Sequence, residues 1–496
     1  MNYISTRDSS NKVSAAEAIL RGIAPDGGLY LPETLPQIDQ SFLERLCSMQ
    51  YTQRAKEVLR LFLTDYTDAE ISACVDAAYG SGFDDNRPAP LSSLTGSNYF
   101  LELWHGPTCA FKDMALQLLP ELLTTAIRKI GEQKEAVILV ATSGDTGKAA
   151  LEGFRDVSGT KIMVFYPEHG VSNMQKRQMY TQQGENVNVA AIEGNFDDAQ
   201  TGVKAIFGDK ALAKQLADCG YILSSANSIN WGRLLPQIVY YISAYCDLIE
   251  GEELAMGEQV NFCVPTGNFG NILAAHYARR MGLPIKTLVC ASNANNVLTD
   301  IIRTGVYDRN RPFHATISPS MDILISSNLE RLLFELCGCS DSVLRDLMQQ
   351  LSETGRFALP VSAKAALQAG FWGGCCDDTA TKATIGTVFE EYSYLCDPHT
   401  AVAANVAEQY KKATGDDTPM VIVSTASPYK FADSVLEALG ATGLPEDDFR
   451  RAEQLEQLSG TAIPEAITAL EQAERRFTQV YETAQMTDAV KRFLRI

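Results

Sequence analysis

Lys112 lies in His-Gly-Pro-Thr-Cys-Ala-Phe-Lys-Asp-Met-Ala-Leu-Gln (105–117), behind a loop of Gly, Pro, Thr and Cys and ahead of an apolar run. Its one charged neighbour is Asp113, and the next basic residue is Arg128. A lysine with so little charge around it can lose its proton to desolvation, and the neutral amine is a nucleophile that condenses with aldehydes. A solvated lysine paired to Asp113 is the plainer reading of the same residues. A second stretch, Pro-Thr-Gly-Asn-Phe-Gly-Asn-Ile-Leu-Ala-Ala (265–275), follows an apolar run and opens a helical pattern. Gly267 and Gly270 let backbone N–H groups turn toward a ligand, and the helix start adds its positive end. No basic residue follows until Arg279, so a phosphate held here would rest on main-chain amides. A plain strand-to-helix turn has the same spacing. A sheltered lysine together with an amide-built phosphate cup is what pyridoxal phosphate requires.

Two further turns carry polar groups. Ala-Thr-Ser-Gly-Asp-Thr-Gly-Lys-Ala-Ala (141–150) invites comparison with a nucleotide-binding P-loop, but Thr142 stands where glycine is needed and Ala149 where Ser or Thr is needed. What remains is a turn of hydroxyls and amides suited to a carboxylate, or simple capping by Ser143, Asp145 or Thr146. In Ser-Ser-Ala-Asn-Ser-Ile-Asn-Trp-Gly-Arg (224–233), Ser225, Asn227, Ser228, Asn230 and Arg233 suit a substrate phosphate. Taken alone, capping plus a surface arginine explains them as well. His105, His169, His276, His314 and His399 include no pair at metal-ligand spacing. Cys337/Cys339 and Cys375/Cys376 lack a second pair at zinc-site spacing, so no metal is expected.

These turns need elements to hold them. From residue 136, short β-branched runs (136–141, 161–167, 186–192, 221–227, 260–267, 285–291) alternate with helix-length segments, the signature of βαβ units and a mainly parallel sheet. Ligands of such sheets bind beyond the carboxyl ends of the strands, where these turns fall. Residues 1–95 read as mostly helical, and 464–485 as an amphipathic helix in a charged tail.

At 496 residues the chain exceeds one core, so two to four domains are expected. The net charge of −19 argues against nucleic acid and against anionic membranes, and any anionic ligand must be met by a local cationic pocket. No signal peptide or membrane-length apolar run is evident, and twelve scattered cysteines in a chain this large read as reduced thiols of a cytosolic protein.

The segments ELWHGPTCAFKDMALQ, TSGDTGKAA, SANSIN, PTGNFGNILA and STASPYKF, in this order, resemble the threonine synthase family, pyridoxal-phosphate enzymes of fold type II. The opening YISTRD…VSAAEAILRGIAPDGGLYLP resembles the amino-terminal domain of its longer members. The resemblance runs to about Gly440 and implies two α/β domains built on parallel sheets behind an N-terminal mostly helical domain (1–95); the tail is left to its own pattern, which reads as a helical C-terminal extension (441–496). The large cofactor domain would comprise 96–135 and 225–440, and a small mobile domain 136–224. It implies that Lys112 carries the cofactor as a Schiff base and acts as the base. Gly267, Asn268, Phe269, Gly270 and Asn271 would cradle its phosphate, and Thr425 would face its pyridine nitrogen. Thr142, Ser143, Asp145 and Thr146 would grip the substrate's amino-acid end, and Ser228, Asn230 and Arg233 its phosphate. The implied reaction turns O-phospho-L-homoserine and water into L-threonine and phosphate, by a monomer or homodimer. A related phospholyase or β-replacement enzyme, and a catalytically silent relative, are the alternatives. Cys109, Met114 and Lys148 depart from the commonest forms and bear on pocket shape and charge.

Overall fold

The computed structural model describes residues 1–83, 87–94, 97–142, 144–169 and 171–496. Two sheets organise the chain. In the larger, six strands run in the order Phe371–Cys375, Ile285–Ser292, Val260–Pro265, Met420–Ser424, Asn98–Glu102, Leu91–Ser93. Every pair is parallel except the last, an antiparallel edge. Val260–Pro265 and Met420–Ser424 are buried at every position, as strands covered by helices on both faces must be. The smaller sheet has five parallel strands, Val480–Glu482, Val187–Glu193, Thr160–Pro167, Glu135–Ala141 and Tyr221–Ser224. The expected βαβ alternation is therefore present, with the runs read from sequence at 136–141, 161–167, 186–192 and 285–291 each forming a strand within a residue or so of its expected ends.

The strand order explains why distant motifs can meet. Asn98–Glu102, Met420–Ser424 and Val260–Pro265 are consecutive neighbours, so the lysine loop, Thr425 and the 267–271 turn leave the same edge of the sheet side by side. The lysine loop is also tied directly to the Thr425 segment, by Phe111 N–H to the Thr425 carbonyl (2.9 Å) and Ser427 N–H to the Cys109 carbonyl (3.0 Å).

The N-terminal region is helical as expected (Ala15–Arg21, Gln40–Cys47, Tyr51–Phe62 and Asp68–Tyr79), with a two-stranded ladder of Tyr3–Ser5 and Tyr30–Pro32. It does not form a core of its own. Tyr3 and Phe62 pack on the fully buried Trp231, which opens the long helix Trp231–Glu250 beneath the large sheet. The tail departs from expectation. Residues 464–485 are not one amphipathic helix: only Glu465–Thr468 is α-helical there, and Val480–Glu482 adds an edge strand beside Val187–Glu193. The helix Met486–Leu494 then packs beside that strand and the helix Phe196–Gly208, burying Met486, Ala489, Val490 and Leu494 in the apolar cluster that covers the small sheet. An unpaired strand edge is satisfied from the far end of the chain, which local amphipathicity cannot report.

Among the described residues no helix is long and apolar enough to cross a membrane.

Candidate active site

A cavity of about 900 Å³ opens between the two sheets, and Lys112, Thr142, Asp145, Thr146, Ser228 and Arg233 border it together with the whole 267–271 turn and Thr425. Lys112 is the N-cap of a single-turn helix, Asp113–Leu116, and is only 8% exposed. Its Nζ lies 4.9 Å from the Phe111 ring centre and donates to Asp145 Oδ2 and to Ser320 Oγ, both at 3.2 Å. Burial is the main influence that pushes this amine below an ordinary lysine. The charges of Lys430 and Arg233 act the same way, against the upward pull of Asp145. Asp113, the partner that adjacency suggests, is turned away: it accepts from Thr108 N–H (2.9 Å) and Thr108 Oγ1 (2.6 Å), folding the loop back on itself. Burial pushes its carboxyl up to about 6, although those bonds oppose the shift.

Asp145 begins the helix Asp145–Gly153 after the left-handed Gly144 (φ +140°), where a Cβ would meet the Gln175 amide at 2.5 Å. Its Oδ1 takes two bonds, from Lys430 Nζ (2.6 Å) and Gln175 Nε2 (2.8 Å), while Oδ2 faces Lys112. Burial alone would raise this carboxyl, but the charges of Lys112 and Lys430 outweigh it and hold it well below the usual range.

The 267–271 turn has the character of an anion cup. Phe269 sits at φ +62° as N-cap of the helix Gly270–Met281, whose positive end faces the cavity. Among the described residues, the backbone N–H groups of Gly267, Asn268, Phe269, Gly270 and Asn271 donate to nothing within the chain. Asn271 Oδ1 accepts from Tyr240 and Tyr241, which fixes the amide and leaves its buried Nδ2 without a partner. Buried donors are nearly always satisfied, so a turn with this many unused ones fits a phosphate ester. Gly267 has no space for a side chain, since a Cβ would stand 2.6 Å from the Ser320 carbonyl. Thr425 lies across the cavity, and its hydroxyl makes no hydrogen bond to the described residues. The residues therefore fit pyridoxal phosphate.

Arg233 is a buried cation without an ion pair among the described residues; its guanidinium bonds only the Ala226 carbonyl (3.0 Å) and Thr146 Oγ1 (3.3 Å). Burial pushes it down to about 10, which still leaves it charged at neutral pH. Not every expected residue has its polar groups free for a ligand. Asn230 spends both amide hydrogens on the Ile19 and Ser225 carbonyls and caps Gly232 N–H, so it is a tie to the N-terminal helix. The Thr142 hydroxyl is taken up by Gly144 and Gly147 within its own turn. Ser143 lies outside the described residues.

The chain matches three family profiles, described as threonine synthase N terminus (residues 2–79), pyridoxal-phosphate dependent enzyme (85–371) and threonine synthase, C-terminal (400–494). The Pseudomonas aeruginosa threonine synthase is 40% identical over 439 residues, covering 88% of this chain and 90% of that protein. The chain belongs to the pyridoxal-phosphate-dependent enzymes of the threonine synthase family. Human threonine synthase-like 1 is 42% identical over 455 residues, and the match spans 88% of this chain but 60% of that longer protein. The PLP-bound threonine synthase from Brucella melitensis superimposes with a TM-score of 0.88 at 38% identity over the full length of both chains. The yeast enzyme does so at 0.88 and 33%, over 100% of this chain and 99% of that one. The fold is the fold type II architecture of this family.

Three site residues escape sequence reasoning. Lys430 is buried and joins Asp145 to the Thr108 carbonyl of the lysine loop (3.0 Å). Ser320 touches both Lys112 and Asp145. His399, which reads as a surface or packing residue, lines the cavity: its Nε2 accepts from Ser320 N–H (3.2 Å), so its Nδ1 carries the proton it shares with Asp397 Oδ1 (2.6 Å). The motif STASPYKF was the one available pointer to Lys430; nothing in the spacing points to the other two.

Proposed function

We propose that the enzyme converts O-phospho-L-homoserine and water into L-threonine and phosphate. The observation that supports this reading is that two separate sets of unused donors, each suited to an anion, border one cavity. The amide cup at 267–271 suits the cofactor phosphate, and Arg233, which has no ion pair among the described residues, suits a second phosphate brought by the substrate. Bound here, pyridoxal phosphate supplies an electron sink for charge that develops on the substrate carbons. Lys112 would hold it, Gly267 through Asn271 would bind its phosphate, and Thr425 would give its hydroxyl to the ring nitrogen. A neutral hydroxyl, unlike a carboxylate, does not stabilise a protonated ring, which favours elimination and replacement over transamination.

The chain's own groups divide the remaining work. Released by the substrate amine, Lys112 Nζ takes and returns protons at the α-carbon and then the β-carbon. Asp145 and Thr146 orient the amino-acid end, on a turn that the Thr142 hydroxyl holds in shape; Arg233 with Ser228 holds the leaving phosphate. Residues 136–224, with the tail strand and helix added to their sheet, form the unit that closes on the large domain and excludes bulk water.

Purified protein given O-phospho-L-homoserine should release threonine and phosphate in equal amounts, and Lys112→Ala should release neither. Phosphate without threonine would instead mark an eliminating phospholyase. Neither product from folded, cofactor-loaded protein would overturn the reading.

A further inference from the structure

Lys430 is a second buried lysine in this site, and the reading above gives it no task. It follows the strand Met420–Ser424 in a short 3-10 turn, Pro428–Phe431, and its side chain is wholly shielded from solvent. Its Nζ is the nearer of two ammonium groups that share one carboxylate: 2.6 Å from Asp145 Oδ1, against 3.2 Å from Lys112 Nζ to Oδ2. It also donates to the Thr108 carbonyl in the loop that carries Lys112. One side chain thus ties the Asp145 carboxylate to the lysine loop.

The charge balance follows from this arrangement. One carboxylate cannot neutralise two ammonium groups. Asp145 Oδ1 is fully engaged, by Lys430 and by Gln175 Nε2. The other groups that face Lys112 do not make up the deficit. Arg233 adds positive charge, Ser320 offers only a hydroxyl, and the Nε2 of His399 is spent accepting from the Ser320 backbone. Of the other carboxylates nearby, Asp113 is committed to Thr108, Asp322 of the cavity wall to Thr316 and Asn293, and Asp397 to His399. In a buried site a surplus positive charge is costly, and it is most cheaply removed by discharging the amine that has the weaker claim on the anion.

We propose that Lys430 is a positioning residue that fixes the Asp145 carboxylate through one oxygen and thereby keeps the Lys112 amine in its neutral, nucleophilic form. The direction of the Lys112 shift agrees with this, since the Lys430 charge is among its causes. A purely structural lysine would also be missed on deletion, but its loss would leave the proton affinity of Lys112 where it was.

The test is competitive trace acetylation of full-length, cofactor-free protein across a pH series, with the extent of reaction at Lys112 read by mass spectrometry. Lys430→Gln keeps a donor for both Asp145 and Thr108 while removing the charge; Lys430→Met is a second neutral variant. In either, Asp145 becomes the dedicated counter-ion of Lys112, and the labelling midpoint of Lys112 should rise by roughly one to three pH units. Lys430→Arg should keep it near the wild-type value. The rate at which added pyridoxal phosphate is recaptured at pH 7 should fall at least about tenfold in the neutral variants and recover as the pH is raised. A midpoint unmoved in Lys430→Gln, or raised equally in Lys430→Arg, overturns the proposal. The inference rests on Lys112 being the cofactor lysine, and borohydride trapping separates the two failures: an adduct at another residue overturns that assignment, whereas an adduct at Lys112 with an unmoved midpoint overturns only the role of Lys430.

Discussion

Two glycines of the 267–271 turn should respond very differently to the same added methyl group. A Cβ on Gly267 would stand 2.6 Å from the Ser320 carbonyl and 3.3 Å from Met321 Cα, both backbone atoms, whereas ordinary contact begins at 3.4 Å. One side must therefore give by about 0.8 Å. The Ser320 side is pinned, because its N–H donates to His399 Nε2 and His399 is anchored to Asp397. The turn must move instead, pulling against Ser326 Oγ on the Gly267 carbonyl (2.8 Å) and Asn328 on that of Asn268. A shift of that size takes an N–H···phosphate bond of normal length out of range. Losing one such charge-assisted bond costs about 1.5–3 kcal/mol, or roughly 10- to 150-fold in cofactor Kd. Gly270 is the control. Its Cβ would rest 3.4 Å from Asn328 Nδ2, a side-chain atom at normal separation, and it lies inside a helix where alanine is the better former. Gly270→Ala should thus bind pyridoxal phosphate within about threefold of wild type, under 1 kcal/mol. Titration of cofactor-free protein by the visible absorbance of the bound cofactor measures both. Equal affinities for Gly267→Ala and wild type would refute the assignment of this turn as the phosphate cup; equal losses in both variants would refute the steric argument.

Three further outcomes follow from the geometry. Arg233→Leu removes the buried cation that faces the cavity; kcat/KM for O-phospho-L-homoserine should fall by about 30-fold or more, the loss of about 2 kcal/mol or more expected for a desolvated charge partner, with cofactor Kd unchanged. Asp113 titrates near 6 in the fold but near 3.9 in an unfolded chain, so the native state holds a proton that the unfolded state releases between those values. Its contribution is complete below about pH 3.9 and is lost as pH rises through about 6, so Asp113→Asn should gain Tm relative to wild type across that interval, read by thermal unfolding at pH 4, 5 and 6. Deleting residues 478–496 removes an edge strand and a helix that completes the apolar cluster on the small sheet; the truncated protein should bind a hydrophobic dye and lose the small domain's protection from proteolysis while the large sheet stays folded.

The parts of the site legible in the sequence are those whose chemistry is carried by consecutive residues. The turn 267–271 declares itself because a glycine pair, a helix start and the absence of cations coincide within a few positions, and its backbone amides donate to nothing among the described residues. Lys112 stands out because its neighbours are apolar. Its partners could not be found that way. Adjacency offers Asp113, yet at a single-turn helix start the side chain of the next residue turns back to Thr108, and the counter-ion comes from Asp145 at the head of a helix in the other sheet. Lys430 and His399 are the harder cases, since nothing local in Ser-Pro-Tyr-Lys-Phe or Asp-Pro-His-Thr marks either side chain as part of a buried site. What buries them is strand order: only when Met420–Ser424 is set between Val260–Pro265 and Asn98–Glu102 does the segment after it run beneath the lysine loop. The tail fails for the same reason, because Val480 and Tyr481 suit a strand only once Val187–Glu193 presents an open edge beside them. Elements follow from local pattern, and the downward pull on the Lys112 amine from burial and pairings that only the assembled sheet creates; a change to sheet order that kept every motif intact would remove that pull.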